Sequence, residues 1–114
     1  MSQQELGQEL ASRSCKGNQG KATKLTDSQV QTYLAQLNGW EQKAGEIFKT
    51  FAFKNYYETI AFVNATAWVS HREDHHPDLE VGYNKCTIRY STHSVGGLSD
   101  NDFICAAKIE VLSK

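Results

Sequence analysis

The sequence lacks the features that mark several large classes of protein. No apolar stretch approaches the length of a transmembrane helix, and the N-terminus has no apolar signal region. The basic residues are scattered, and no run of them is long enough to hold a phosphate backbone. With a formal net charge of −1, the chain is expected to have neither a nucleic acid nor a membrane as its partner.

Cysteine is scarce and widely spaced. The chain has three cysteines, Cys15, Cys86 and Cys105, and no C-x-x-C motif. An odd number at this spacing is unlike a disulfide framework or a zinc ribbon and is typical of a reducing compartment. We therefore expect a cytoplasmic protein, in which Cys86 and Cys105 serve as small apolar core residues.

The first part of the chain differs in composition from the rest. Residues 1–22 are rich in Gln, Ser, Gly and Lys and contain no aromatic residue. Because this segment offers little apolar surface to bury, we predict a flexible N-terminal tail over residues 1–22. The remaining residues, 23–114, are the right size for a single domain.

In that domain, segments whose apolar residues have helical spacing alternate with segments whose apolar residues have strand spacing. Capping residues Thr26, Asn55 and Ser99 each precede a segment with helical spacing of apolar residues. Alternating segments within residues 40–53 and 78–93 predict two hairpins. The order α-β-β-α-β-β-α predicts an α+β fold, a four-stranded antiparallel sheet with three helices packed on one face.

All four histidines lie within a span of 23 residues. His71 and His75 are four residues apart on the second predicted helix and share a face. His76 directly precedes Pro77, which ends that helix, and His93 closes the fourth predicted strand. An antiparallel hairpin can bring its strand end back towards the preceding helix, so His75, His76 and His93 are predicted to meet in one cleft. Such a cluster is suited to proton transfer near neutral pH.

Two other interpretations of the histidines stay open. One is that they are ordinary surface or core residues. The other is a metal site, because His71-x-x-x-His75 is a known zinc spacing and His93 could supply a third ligand. The H-E-x-x-H motif is absent, and we expect no metal.

Asp102 has two compatible roles. As the third residue after Ser99, it is placed to cap the last helix. It would also lie near His93 across the glycine loop, Gly96-Gly97, where its carboxylate could orient the imidazole.

Read together, these residues resemble a known signature. The run His71-x-x-x-His75-His76-Pro77, followed by Tyr83, His93 and Asp102, is similar to that of the pterin-4a-carbinolamine dehydratases. The resemblance covers about residues 21–112. Further matching pieces are Gly39-Trp40, Ile47-Phe48-Lys49, Phe53-Lys54, Tyr83-Asn84-Lys85, Ser91-Thr92-His93 and Gly97-Leu98-Ser99.

The resemblance implies a reaction. Aromatic amino acid hydroxylases leave their tetrahydropterin as a 4a-hydroxy adduct, and the dehydratase removes water from it to give quinonoid dihydropterin. The resemblance also implies an α+β fold, a pterin substrate, no metal and no cofactor. It further implies a homodimer or homotetramer with a functional link to a hydroxylase.

The resemblance also implies roles for individual residues. His75, His76 and His93 fall on the family's catalytic or binding histidines. We hypothesise that His75 and His93 are the acid–base pair, that His76 holds the pterin or its hydroxyl, and that Asp102 orients His93. His71, where many relatives have Glu, is a candidate supporting residue. Candidate substrate-binding residues are Trp40, Tyr83, Ser91 and Thr92.

Two functions of other classes remain as alternatives. Animal relatives of this family also bind a transcription factor and promote its dimerisation, so the chain could be a regulatory protein. The other is a metal-dependent hydrolase that uses His71, His75 and His93.

Overall fold

The computed structural model describes residues 2–15 and 22–113. Its helices are α1 (Gln3–Ala11), α2 (Asp27–Leu34), α3 (Tyr56–Glu73), α4 (Asp100–Leu112) and a short 3-10 helix (His93–Val95). Its strands are β1 (Glu41–Lys43), β2 (Glu46–Ala52), β3 (Asp78–Val81) and β4 (Lys85–Tyr90). None of the helices in the described ranges combines the length and apolar character needed to span a bilayer.

The four strands form one antiparallel sheet in the order β1-β2-β4-β3. The predicted α+β class and four-stranded antiparallel sheet are therefore confirmed. In the central pair, Ile47 lies opposite Tyr90 and Phe51 lies opposite Cys86. All four side chains are buried, because strand alternation places them on the same face of the sheet.

The three predicted helices contribute to the core on this face. Val30 of α2, Phe62 and Val69 of α3, and Phe103 and Ile109 of α4 join the buried strand residues in one apolar cluster. α4 is the most buried helix, since eight of its residues are buried. Most of α4 therefore lies inside the molecule, while its last residues, Val111 and Leu112, are exposed.

The N-terminal segment differs from the predicted flexible tail. Residues 3–11 form α1, which begins with a reciprocal capping box between Ser2 and Glu5. α1 packs on α4, and Leu10 is only 1% exposed. The composition of residues 1–22 did not predict this helix, because the surface of α4 on which it packs is distant in sequence. Met1 and residues 16–21, which the tail prediction also covers, lie outside the described residues.

The end of β4 also differs from its prediction. The strand ends at Tyr90, and His93 begins the 3-10 helix where we expected it to close the strand. Thr92 and Gly97 close this turn by exchanging backbone hydrogen bonds. Gly96 has a φ of 69°, a left-handed conformation that favours glycine. His93 therefore lies in a closed turn that follows β4.

Replacing Leu10 by Ala tests whether α1 is an integral part of the domain. Because Leu10 is buried against the core, the substitution should lower the free energy of unfolding by roughly 2–4 kcal/mol. Urea denaturation would measure the change. The matched control is Leu112→Ala, at an exposed leucine of α4, which should cost much less. Equal stabilities of wild type and Leu10→Ala would contradict the packing of α1.

Candidate active site

His75 follows the end of the longest helix. α3 stops because Asp74 adopts a left-handed conformation, with φ 51° and ψ 44°, as its C-cap. Pro77 then prevents a further helical turn, as the sequence predicts. The backbone N–H of His75 still donates to the carbonyl of Ser70 at 3.3 Å. This bond holds the backbone of His75 against the last turn of α3.

Asp102 is the central hydrogen-bond acceptor of the site and is 0% exposed. Its Oδ1 lies 2.7 Å from Nε2 of His75. Its Oδ2 accepts hydrogen bonds from Oγ1 of Thr92 at 2.8 Å and from the backbone N–H of Ser99 at 3.0 Å. The carboxylate also lies in the first turn of α4, where the helix dipole favours negative charge.

This arrangement corrects the role expected for Asp102. The carboxylate orients His75, whereas we predicted that it orients His93. We expected His93 to be the partner of Asp102 because the two are close in sequence, with only the glycine loop between His93 and the start of α4. In the fold, the start of α4 lies beside the end of α3 and so brings His75 to Asp102.

The hydrogen bonds around Asp102 also assign proton positions. A carboxylate accepts hydrogen bonds, so Nε2 of His75 is the donor and Nδ1 is the ring nitrogen that remains for a substrate. Thr92 uses its one hydroxyl proton on Asp102. Oγ of Ser99, 2.7 Å from Oγ1 of Thr92, must therefore donate to Thr92.

Tyr90 supports the other side of the His75 ring. The two rings are stacked, with centroids 5.7 Å apart and an angle of 10° between their planes. Tyr90 is fully buried, and burial raises the pKa of its hydroxyl well above the ordinary value. It therefore acts as a neutral aromatic platform. The alternation of Tyr90 with Cys86 and Ile88 along β4 places it on the inner face of the sheet.

The three predicted catalytic histidines lie around one open pocket. The volume of this pocket is about 250 Å³. The His75 side chain is 13% exposed, whereas His76 and His93 are exposed residues. One member of the set is thus held rigidly and two remain accessible to a ligand. The lining residues are Asp74, His75, His76, Ser91, Thr92, His93 and Ser94.

A second open pocket adjoins the first. Its volume is about 280 Å³, and it shares Ser91, Thr92 and His93 with the histidine pocket. The β1–β2 turn and the glycine loop form its other walls. His93 therefore lies at the boundary between two neighbouring cavities.

The remaining candidates are not brought into the histidine pocket. Trp40 is only 5% exposed and packs against Phe51 and Tyr90, so it is a core residue. Tyr83 is 65% exposed, and its carbonyl accepts a hydrogen bond from Thr59, near the opposite end of α3 from His75.

His71 is also outside the pocket. It is exposed on α3, and its ring lies 6.1 Å from that of Trp68. Among the described residues, no group of three His, Cys, Asp or Glu side chains is placed to hold a metal ion.

Comparison with known proteins identifies the family of this chain. The sequence model described as "Pterin 4 alpha carbinolamine dehydratase" matches residues 23–112. The chain belongs to this family. The resemblance seen in the histidine signature is thereby confirmed.

Relatives in this family match most of the chain. A Nitrosospira multiformis protein is 56% identical over 104 residues, which cover 91% of this chain and 92% of the relative. A Bdellovibrio bacteriovorus protein is 58% identical over 93 residues, 78% of each chain. Both bear the provisional name pterin-4-alpha-carbinolamine dehydratase.

Two solved structures are similar in fold. One is described as a transcriptional coactivator/pterin dehydratase from Brucella melitensis. It has a TM-score of 0.78 and 28% identity and covers 81% of this chain and 100% of its own. The other is a pterin dehydratase-like protein identified as a RuBisCO assembly factor in the alpha-carboxysome. Its TM-score is 0.54 at 28% identity, over 65% of this chain and 86% of its own.

The family match bears on α1. The family's sequence model begins at residue 23, after α1. The Nitrosospira relative, however, matches 91% of a 114-residue chain, so its alignment must reach into residues 1–22. Part of the N-terminal segment is therefore shared with relatives.

Replacing Asp102 by Asn should reverse the proton position on His75. The new amide oxygen can still accept from Thr92 and Ser99, while the amide nitrogen donates to Nε2 of His75. The ring proton then moves to Nδ1. Proton–nitrogen NMR spectra, recorded at a pH where the imidazole is neutral, would show which ring nitrogen is protonated.

The control for this experiment is Asp78→Asn, which removes the same charge from an exposed position in β3. It should leave the His75 spectrum as in the wild type. A wild-type pattern in Asp102→Asn would show that the carboxylate does not set the tautomer of His75.

Proposed function

We propose that this protein dehydrates a 4a-hydroxytetrahydropterin to quinonoid dihydropterin by histidine acid–base catalysis. The observation that carries the proposal is the His75–Asp102 hydrogen bond at the edge of a pocket that His76 and His93 also line. Membership of the pterin carbinolamine dehydratase family supports the substrate class.

The reaction needs one acid and one base. The hydroxyl on C4a leaves as water only after it receives a proton, and the lone pair on the adjacent N5 helps to expel it. The N5 proton must then be removed to give the neutral quinonoid product. Two groups that titrate near neutral pH can perform both transfers.

The surroundings of His75 favour the role of base. Its Nε2 donates to Asp102, so Nδ1 presents a lone pair, and the carboxylate stabilises the positive charge that the ring acquires with a proton. His93 is then the acid that protonates the leaving hydroxyl. His76, exposed at the pocket rim, would hold the pterin or its hydroxyl.

Alanine substitutions test these roles. His93→Ala should lower the rate of dehydration of the 4a-hydroxy adduct by roughly 100-fold or more, and His75→Ala should have a similar effect. The rate is measured from the disappearance of the adduct in single-turnover experiments. His71→Ala is the matched control, because His71 lies on α3 outside the pocket. A wild-type rate in both His75→Ala and His93→Ala would refute the proposal.

The assembly and setting belong to the same proposal. We propose a homodimer or homotetramer that works in the cytoplasm alongside an aromatic amino acid hydroxylase. β3 is an edge strand with all four residues exposed, including Leu79 and Val81. Such an edge can pair with a strand of a second copy.

Sedimentation equilibrium of the purified protein would measure the assembly. We expect the mass of a dimer or tetramer, and a shift towards monomer in Val81→Lys, because charge on an edge strand opposes pairing. A wild-type protein that remains monomeric at micromolar concentration would contradict this part of the proposal.

A regulatory function is the second candidate. It is supported by the description of the Brucella relative as a transcriptional coactivator and of another relative as a RuBisCO assembly factor. The dehydration assay distinguishes the two candidates, because a purely regulatory protein would not accelerate dehydration of the 4a-hydroxy adduct.

A further inference from the structure

Two free cysteines from distant parts of the chain lie side by side. Sγ of Cys15, just after α1, is 3.3 Å from Sγ of Cys105 in α4. The two residues are 90 positions apart in sequence. Cys86, the third cysteine, is buried in β4.

Backbone and side-chain contacts hold Cys15 in place. Its N–H donates to a carboxylate oxygen of Glu73 at 2.8 Å, and its thiol lies 3.6 Å from the carbonyl of Asn101. Nearby, Nζ of Lys108 donates to the carbonyl of Ala11 at 2.7 Å. The approach of the two sulfur atoms is therefore supported by contacts with both α3 and α4.

We propose that Cys15 and Cys105 are a site of reversible thiol–disulfide exchange with small disulfides such as oxidised glutathione. The thiolate of Cys15 attacks the small disulfide, forms a mixed disulfide and releases one small thiol. The thiolate of Cys105 then attacks Sγ of Cys15 and releases the second small thiol. Two protein thiols are oxidised to one disulfide, and their protons leave on the two released thiols.

The surroundings of the two thiols fix the order of these steps. Cys15 is partly exposed, so a small disulfide can reach it, whereas Cys105 is fully buried. The hydrogen bond with Cys15, and then burial, raise the pKa of Cys105. A raised pKa favours the protonated thiol at Cys105, so the accessible Cys15 is the thiol that attacks the small disulfide first.

The disulfide would fasten the N-terminal segment to the back of the proposed active site. Glu73 and Asn101, which both contact Cys15, precede His75 and Asp102 by only two and one positions. A bond between residues 90 positions apart also restricts the unfolded chain, which should raise the Tm by roughly 10–20 °C. The inference does not depend on the proposed pterin chemistry.

Peptide mapping tests the bond directly. The purified full-length protein is equilibrated with mixtures of oxidised and reduced glutathione, blocked with an alkylating reagent and digested with trypsin without reduction. The sequence has a cleavage site between each pair of cysteines, so Cys15, Cys86 and Cys105 fall in different peptides. We expect a linked Cys15–Cys105 peptide, and free thiols should fall from three per chain to one.

Two variants provide the comparison. Cys15→Ser, at a partly exposed position, should abolish both the linked peptide and the oxidation-dependent rise in Tm. Cys86→Ala should retain both. A mixed disulfide on Cys15 without linkage, a linked peptide containing Cys86, or a linked peptide with an unchanged or lower Tm would each overturn the proposal.

Discussion

One buried carboxylate connects the elements of the site. Asp102 receives hydrogen bonds from His75 after α3, from Thr92 after β4 and from Ser99 at the start of α4. A buried charge is costly unless such bonds and a favourable dipole compensate for it. The three donors and the N-terminus of α4 provide that compensation, so the position of Asp102 constrains the whole site.

The burial of Asp102 depends in turn on the packing of α4. The core cluster covers one side of this helix, and α1 packs on another. Eight residues of α4 are consequently buried, Asp102 among them. Water is kept from the Asp102 side of His75, while Nδ1 of the same ring remains for a substrate. The hydrogen bonds of Asp102 are thus buried, while His76 and His93 remain exposed at the pocket.

The sequence predicts those parts of the structure that short-range patterns determine. Strand alternation identifies the inner face that carries Ile47 and Phe51, and Pro77 marks the end of α3. The clustering of His75, His76 and His93 follows from the hairpin geometry. These features depend on neighbours in sequence or on one antiparallel pairing, which periodicity describes well.

Contacts between distant segments were predicted less well. The partner of Asp102 depends on how α4 meets the end of α3, which no local pattern encodes. Trp40 is a buried core residue, although we expected it to be a candidate substrate-binding residue. The docking of α1 depends on the surface of α4, and the Cys15–Cys105 contact arises from the same packing.

A crystal structure with a bound dihydropterin would show whether the three histidines act on the pterin ring. We expect the pterin in the histidine pocket, with N5 within hydrogen-bonding distance of Nδ1 of His75 and C4a facing His93. The His75–Asp102 hydrogen bond should persist in that complex. A pterin bound elsewhere on the chain, or a His75 ring turned away from Asp102, would contradict this expectation.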